Sequence, residues 1–168
     1  MTTAPRRILV IGYGNPGRFD DGLGPALAEQ IERLHLPGVS VDSDYQLTVE
    51  HAEAVAGYDV VVFADATTDQ ARAFSWESIE PHEAAVRFTS HHLGPADVLA
   101  LARDLFAARP QAYLLGIRGC DFGDFGVGLS PSAQAALAEA VAFLHGTIES
   151  GHYGRTRFGD ESCKTVSR

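Results

Sequence analysis

The sequence has little cysteine and no long apolar run. Its two cysteines, Cys120 and Cys163, are too few for a disulfide framework, which excludes the small disulfide-stapled secreted class and favours a reducing cytoplasm. No stretch approaches the roughly 20 apolar residues of a membrane span. The apolar run at residues 8–12 behind Arg6 and Arg7 is too short for a secretory signal. We therefore expect a cytoplasmic protein with no membrane partner.

Basic residues are also scarce. Thirteen Lys and Arg against 22 Asp and Glu give a net charge of −9, which repels a nucleic-acid backbone, so we expect no nucleic-acid partner. A positively charged surface on another protein fits this charge better. With 168 residues, 45% of them hydrophobic, the chain is long enough for one folded domain. We place that domain at residues 1–149 and expect a polar, flexible tail at 150–168.

Two runs of consecutive apolar residues, 8–11 and 60–64, predict strands that are buried on both faces, as in a parallel sheet. Between and after them the apolar pattern alternates between further strands and helices. This order predicts an α/β fold: a single-domain, three-layer αβα sandwich with a mostly parallel twisted sheet. The remaining elements are strands near 39–41, 74–79 and 113–117, and helices near 25–34, 50–56, 95–108 and from Pro131 after a Ser130 cap.

The turn after the first strand allows more than one interpretation. Residues 12–17 match the G-x-G-x-x-G dinucleotide fingerprint, with Asp42 or Asp44 downstream for a ribose. Against this, Asp20 and Asp21 would repel a pyrophosphate docking on the following helix. The turn is also similar to the start of peptidyl-tRNA hydrolases, but the histidine stretch of that family is missing. A third possibility is that an aspartate simply caps the helix.

Asp65 directly follows the 60–64 run and Asp21 follows the first strand, so both belong at the carboxyl edge of the sheet, where ligands bind in this fold class. Neighbouring strands lie about 4.8 Å apart, so the two carboxylates can converge if their strands are close. His91 and His92 precede a helix, and one of them at most can join. Two carboxylates and an imidazole form a ligand set for a divalent transition metal. The alternative for Asp65 is a turn residue that binds its own backbone.

Asp97, near the start of the same helix, has two possible roles. It could orient a histidine or cap the helix, and the capping role is favoured. Cys120 has no histidine beside it in sequence to act as a base, so we do not expect a nucleophilic thiol.

Taken in order, these segments resemble the endopeptidases that mature the large subunits of [NiFe]-hydrogenases. The resemblance covers nearly the whole globular part and rests on Gly14-Asn15, Asp20-Asp21-Gly22-x-Gly24, Gln46-Leu47 with Glu50, residues 60–66, His91-x-Leu93-Gly94-x-x-Asp97 and Gly128-Leu129-Ser130-Pro131.

The resemblance implies a phosphorylase/hydrolase-like fold and an aspartic-type endopeptidase. Such an enzyme activates a hydrogenase by removing the C-terminal extension of the large-subunit precursor after nickel insertion. It implies that Asp21, Asp65 and His91 recognise nickel, which the substrate protein supplies. The alternative is a nickel-sensing chaperone that binds the large subunit without cutting it.

Overall fold

The computed structural model describes residues 5–83 and 93–154. Within these ranges no helix is both long and apolar enough to cross a membrane. His91 and residues 155–168 of the predicted tail lie outside the described residues.

A single five-stranded sheet runs through the described part of the chain, in the order β2-β1-β3-β5-β4. All neighbouring strands are parallel except β4, an edge strand that runs antiparallel to β5. The mostly parallel sheet and the edge position of β4 confirm the sequence-based prediction. The strands are β1 (Ile8–Tyr13), β2 (Val39–Asp44), β3 (Val60–Thr67), β4 (Phe74–Ser78) and β5 (Gln111–Arg118).

Helices cover both faces of the sheet, which explains why β1 is apolar without interruption. Ile8 and Val10 contribute to the core on one face, and Leu9 and Ile11 to the core on the other. Helices α1 and α4 cover the first face, and α2 and α3 cover the second. These three layers are the predicted αβα sandwich. The helices are α1 (Leu23–Arg33), α2 (Glu50–Ala56), α3 (Pro95–Phe106) and α4 (Pro131–Ser150).

Two strands extend beyond their apolar runs. β2 continues to Asp44 beside Tyr13, and β3 continues through Asp65 to Thr67 beside β5. Backbone hydrogen bonds hold a strand whatever its side chains are, so polar residues at the sheet edge do not end it. The sequence pattern had placed Asp65 after the end of a strand. The structure instead places Asp65 within β3.

The helix starts confirm two of the predicted caps and exclude a third. The Ser130 hydroxyl accepts a hydrogen bond from the N–H of Ala133 at the start of α4. The Asp97 carboxylate accepts one from the N–H of Gly94 at 2.8 Å, so it caps α3. α1 begins after Gly22 without any side-chain cap, so neither preceding aspartate caps it.

Candidate active site

Asp21 and Asp65 come together at the carboxyl edge of the sheet. The strands that lead to them, β1 and β3, are direct neighbours, with Gly12 beside Ala64. Asp21 itself lies in a 3₁₀ turn, Phe19–Gly22, between β1 and α1. The negative charge of Asp21 contributes to raising the pKa of Asp65, as expected for two carboxylates that share one site. The convergence predicted for these two residues therefore occurs.

A close backbone approach at Gly24 brings the two carboxylates together. A Cβ atom at this position would lie 2.3 Å from the carbonyl oxygen of Tyr13 and 2.5 Å from that of Ala64. Only glycine lets the first turn of α1 pack directly on the ends of β1 and β3. Gly12 makes the reciprocal contact, since its Cβ would lie 2.1 Å from the carbonyl oxygen of Gly24. The glycines of this segment therefore serve helix-on-sheet packing.

The backbone N–H groups of the glycine loop are already used inside the protein. The N–H of Asn15 donates to the Asp21 carboxylate at 2.9 Å, and that of Gly17 donates to Asn15 Oδ1 at 2.8 Å. The N–H of Gly14 donates to the carbonyl of Asp44 at 3.1 Å. A dinucleotide site needs such donors free for a pyrophosphate. The loop instead holds an aspartate in place, which argues against nucleotide binding.

The pKa of the Asp65 carboxyl group is raised well above its ordinary value. Burial, reinforced by Asp21, raises its pKa to about 6, although hydrogen bonds from the Tyr13 hydroxyl and the N–H of Ala66 act in the opposite direction. The half-buried Tyr13 hydroxyl has its pKa raised by burial and by Asp65, so it remains a hydrogen-bond donor at neutral pH. Two neighbouring carboxyl groups, one of which has a raised pKa, provide oxygen donors that suit a divalent cation.

Asp20 points away from this pair and is completely buried. Its carboxylate accepts hydrogen bonds from the N–H groups of Cys120, Asp121 and Ser130 and from the Ser130 hydroxyl, at 2.7–2.9 Å. Burial favours the neutral acid, but these four bonds outweigh it and lower the pKa of Asp20. Adjacent aspartates therefore have different roles: Asp21 faces the site, and Asp20 ties its turn to the start of α4.

The loop between β5 and α4, residues 119–130, lies against the Asp21 turn. Gly126 pairs with Arg18 as a parallel bridge: its N–H donates to Gly17 and its carbonyl accepts from Phe19. The Phe19 ring fills the space that a side chain at Gly126 would need, since a Cβ there would overlap the ring. Phe19 adopts a φ of 51°, which is costly for a bulky residue and is held by this packing. We name residues 119–130 the β5–α4 loop.

The imidazole of the predicted trio, His91, lies outside the described residues, as does His92. Among the residues that are described, no group of three or more His, Cys, Asp or Glu side chains is close enough to hold a metal ion. The Asp97 carboxylate contacts His82, at 2.9 Å from Nδ1, and its second possible role, orienting His91 or His92, stays a prediction because those residues are not described. The Cys120 thiol is free and exposed.

The contacts of two residues that shape the candidate site were missed from the sequence. Tyr13 occupies a variable position of the glycine fingerprint, and its contact with Asp65 depends on strand order. For Asp20 a signal existed, because two adjacent aspartates exceed what one helix cap requires. Its partners, however, lie 100 to 110 residues further along the chain, beyond the reach of local sequence patterns.

No protein-family model matches the chain. Among curated proteins, it is 30% identical to the hydrogenase expression/formation protein HupM of Azotobacter chroococcum mcd 1, over 95% of this chain and 80% of the relative. It is 28% identical to the hydrogenase expression/formation protein HupD of Rhodobacter capsulatus, over 83% of this chain and 72% of the relative. Both alignments span most of the two proteins compared.

Solved structures share the fold. The hydrogenase maturating endopeptidase HybD of E. coli superposes with a TM-score of 0.65 at 23% identity, over 86% of this chain and 94% of that one. The [NiFe] hydrogenase maturation protease HycI of Thermococcus kodakarensis KOD1 superposes with a TM-score of 0.66 at 20% identity, over 88% and 95%. Given the curated relative that is 30% identical over four-fifths of its length, the chain belongs to the family of hydrogenase expression/formation proteins that includes HupM and HupD.

Proposed function

We propose that this chain removes the C-terminal extension of a [NiFe]-hydrogenase large-subunit precursor once nickel is inserted, and so activates the hydrogenase. The pairing of Asp21 with Asp65 at the carboxyl edge of the sheet carries the proposal. An endopeptidase that acts on a metal-loaded substrate needs oxygen donors that can approach a cation held by another protein. Two neighbouring carboxylates meet this need.

In this proposal Asp21, Asp65 and His91 recognise the nickel, and the nickel belongs to the substrate. The carboxylates are the described members of the trio, and both have free acceptor capacity. An open ligand set of this kind binds a bare ion weakly, and it gains affinity when the precursor presents the ion. Cleavage would then wait until nickel insertion is complete.

Asp65 also suits an aspartic-type proteolytic step. When water attacks the peptide carbonyl, a C–O bond forms and the carboxylate takes a proton from the water. That proton passes to the nitrogen of the leaving segment as the C–N bond breaks. A carboxyl group with a pKa of about 6 is ionised at neutral pH and still holds a proton well enough to return it. Nickel that is bound by the precursor would polarise the carbonyl.

The intact mass of a nickel-loaded precursor, measured after incubation with purified protein, tests the function. We expect the wild type to release the extension, and the Asp65→Asn and His91→Ala variants to leave the precursor whole. Asp69→Asn is the matched control, because Asp69 is an exposed carboxylate just after β3. This variant should process the precursor like the wild type. Normal processing by His91→Ala would contradict the assignment of that residue. A stable nickel-dependent complex without loss of mass would favour the chaperone alternative.

The proposed place of action is the cytoplasm. The exposed free thiol of Cys120 fits a reducing compartment. The net charge of −9 fits a protein partner better than a nucleic acid.

A further inference from the structure

The β5–α4 loop carries the two most exposed large apolar side chains that the structure describes. Phe125 and Val127 are each 88% exposed, whereas the other exposed large apolar residues of the described chain reach at most 69%. Both are next to Gly126, whose backbone is fixed to the Asp21 turn. An exposed apolar pair on a fixed backbone is a feature of binding surfaces.

The geometry of the loop explains why both side chains face outward. The chain bends at Asp124, Phe125 and Gly128, so Phe125 and Val127 lie in a loop on either side of the single bridge residue Gly126. The face of Gly126 is covered by the Phe19 ring. The apolar pair is therefore directed away from the protein, and no described residue covers it.

Only part of the backbone of residues 125–127 is hydrogen-bonded to the rest of the described protein. The N–H and carbonyl of Gly126 both point to the Asp21 turn and are bonded there. Within residues 5–83 and 93–154, no hydrogen bond is made by the N–H groups of Phe125 and Val127. These N–H groups form an open edge of the loop that can hydrogen-bond a bound peptide.

The charge of the loop restricts what can bind there. Residues 119–130 contain Asp121 and Asp124, both exposed, and no Lys, Arg or His. An acidic edge beside an apolar pair is complementary to an extended peptide that carries apolar side chains and a cation. The edge is also close to the proposed ligands, since Arg18, the bridge partner of Gly126, is three residues from Asp21, a span of at most roughly 11 Å.

We propose that the open edge of residues 125–127 docks the substrate. A cation-bearing apolar segment of the precursor, next to the bond that is cut, would bind this edge through the Phe125 and Val127 side chains and their free N–H groups. Phe125 and Val127 would determine affinity, and Asp21 and Asp65 would meet the nickel. The inference rests on the proposed function and adds the surface that holds the substrate.

Steady-state cleavage of nickel-loaded precursor tests the docking surface. For the double variant Phe125→Ser/Val127→Ser we expect KM to rise about tenfold or more with kcat within about twofold, because the pair acts in binding. Asp124→Lys should also raise KM. The matched control is Leu105→Ser/Phe106→Ser, an exposed apolar pair at the end of α3, which should leave both constants unchanged. Thermal melting of each variant establishes that it is folded.

The outcomes separate this inference from the function on which it rests. If the wild type cleaves the precursor and the double variant has an unchanged KM, the docking surface is wrong and the function stands. If the double variant instead abolishes self-association in sedimentation, the surface holds a second copy and the inference is overturned. If the wild type does not cleave the precursor, the proposed function is wrong. Hydrogen exchange in the precursor complex then tests the docking surface separately. Slowed exchange of the Phe125 and Val127 amides in the precursor complex would support it, and unchanged exchange would overturn it.

Discussion

The carboxylate of Asp20 accepts two hydrogen bonds from Ser130, one from the backbone N–H and one from the hydroxyl, each 2.7 Å long. Ser130 is also the residue that caps α4, so a single buried aspartate links the turn that carries Asp21 to the start of the last helix. The position of Asp21 therefore depends on packing at the far end of the sequence.

Replacing Asp20 by Asn should destabilise the protein strongly. The amide group would turn an N–H donor toward backbone N–H groups that now bond to a carboxylate, leaving buried donors without acceptors. We expect a loss of about 3–5 kcal/mol in the free energy of unfolding, measured by urea denaturation. Asp124→Asn, at an exposed position of the same loop, should change it by less than about 0.5 kcal/mol. Equal urea midpoints for the two variants would contradict the role of Asp20.

The raised pKa of Asp65 makes stability depend on pH. With a folded pKa of about 6 against an ordinary 3.8, the folded state binds more protons than the unfolded state between these values. The contribution of Asp65 to stability is therefore complete below about pH 4 and is lost as the pH rises through 6. A difference of this size corresponds to about 3 kcal/mol.

The Asp65→Asn variant tests this dependence. It cannot ionise, so its stability relative to the wild type should increase by up to about 3 kcal/mol between pH 4 and pH 7, measured by denaturation at each pH. The corresponding difference for Asp69→Asn, an exposed carboxylate, should stay nearly constant. A constant difference for Asp65→Asn would show that Asp65 is not perturbed.

The hydrogen bond from Tyr13 lowers the pKa of Asp65, against the larger effect of burial. Replacing Tyr13 by Phe should therefore raise the pKa of Asp65 above about 6 and shift the acidic limb of the cleavage rate to higher pH. Carbon NMR of the aspartate carboxyls gives the titration directly. Tyr45→Phe is the control, because Tyr45 is 69% exposed. An Asp65 titration that is the same in Tyr13→Phe and the wild type would rule out the contact.

Two helical glycines should respond in opposite directions to alanine. At Gly24 a Cβ would overlap the carbonyl oxygens of Tyr13 and Ala64, so we expect a loss of at least about 3 kcal/mol on urea unfolding. At Gly146 in α4 no atom lies within 4 Å of the added Cβ, so helix propensity should stabilise the protein by about 0.5–1 kcal/mol. Stabilisation by Gly24→Ala would mean that α1 does not pack on the strand ends as described.

Local sequence patterns predicted the three layers and the sheet edge at which Asp21 and Asp65 lie, because buried strands and helix caps leave a signal in a few neighbouring residues. They failed at the strand ends, where the backbone pairing of β2 continues through polar residues to Asp44. They also could not find the partners of Asp20 or the pairing of Gly126 with Arg18. These contacts depend on the packing of α4 and on the order of the strands. A short sequence window contains information on neither.

The bond between residues 20 and 130 also has a consequence for biosynthesis. Asp21, Asp65 and their strands leave the ribosome well before Ser130, yet two of the four hydrogen bonds to the Asp20 carboxylate come from Ser130, 110 positions later. A nascent chain that stops before Ser130 has both carboxylates but lacks these two bonds. Contacts across such long separations form late in folding. In the proposed function, the chain would thus become competent to process another protein's C-terminus only after its own last helix has been synthesised.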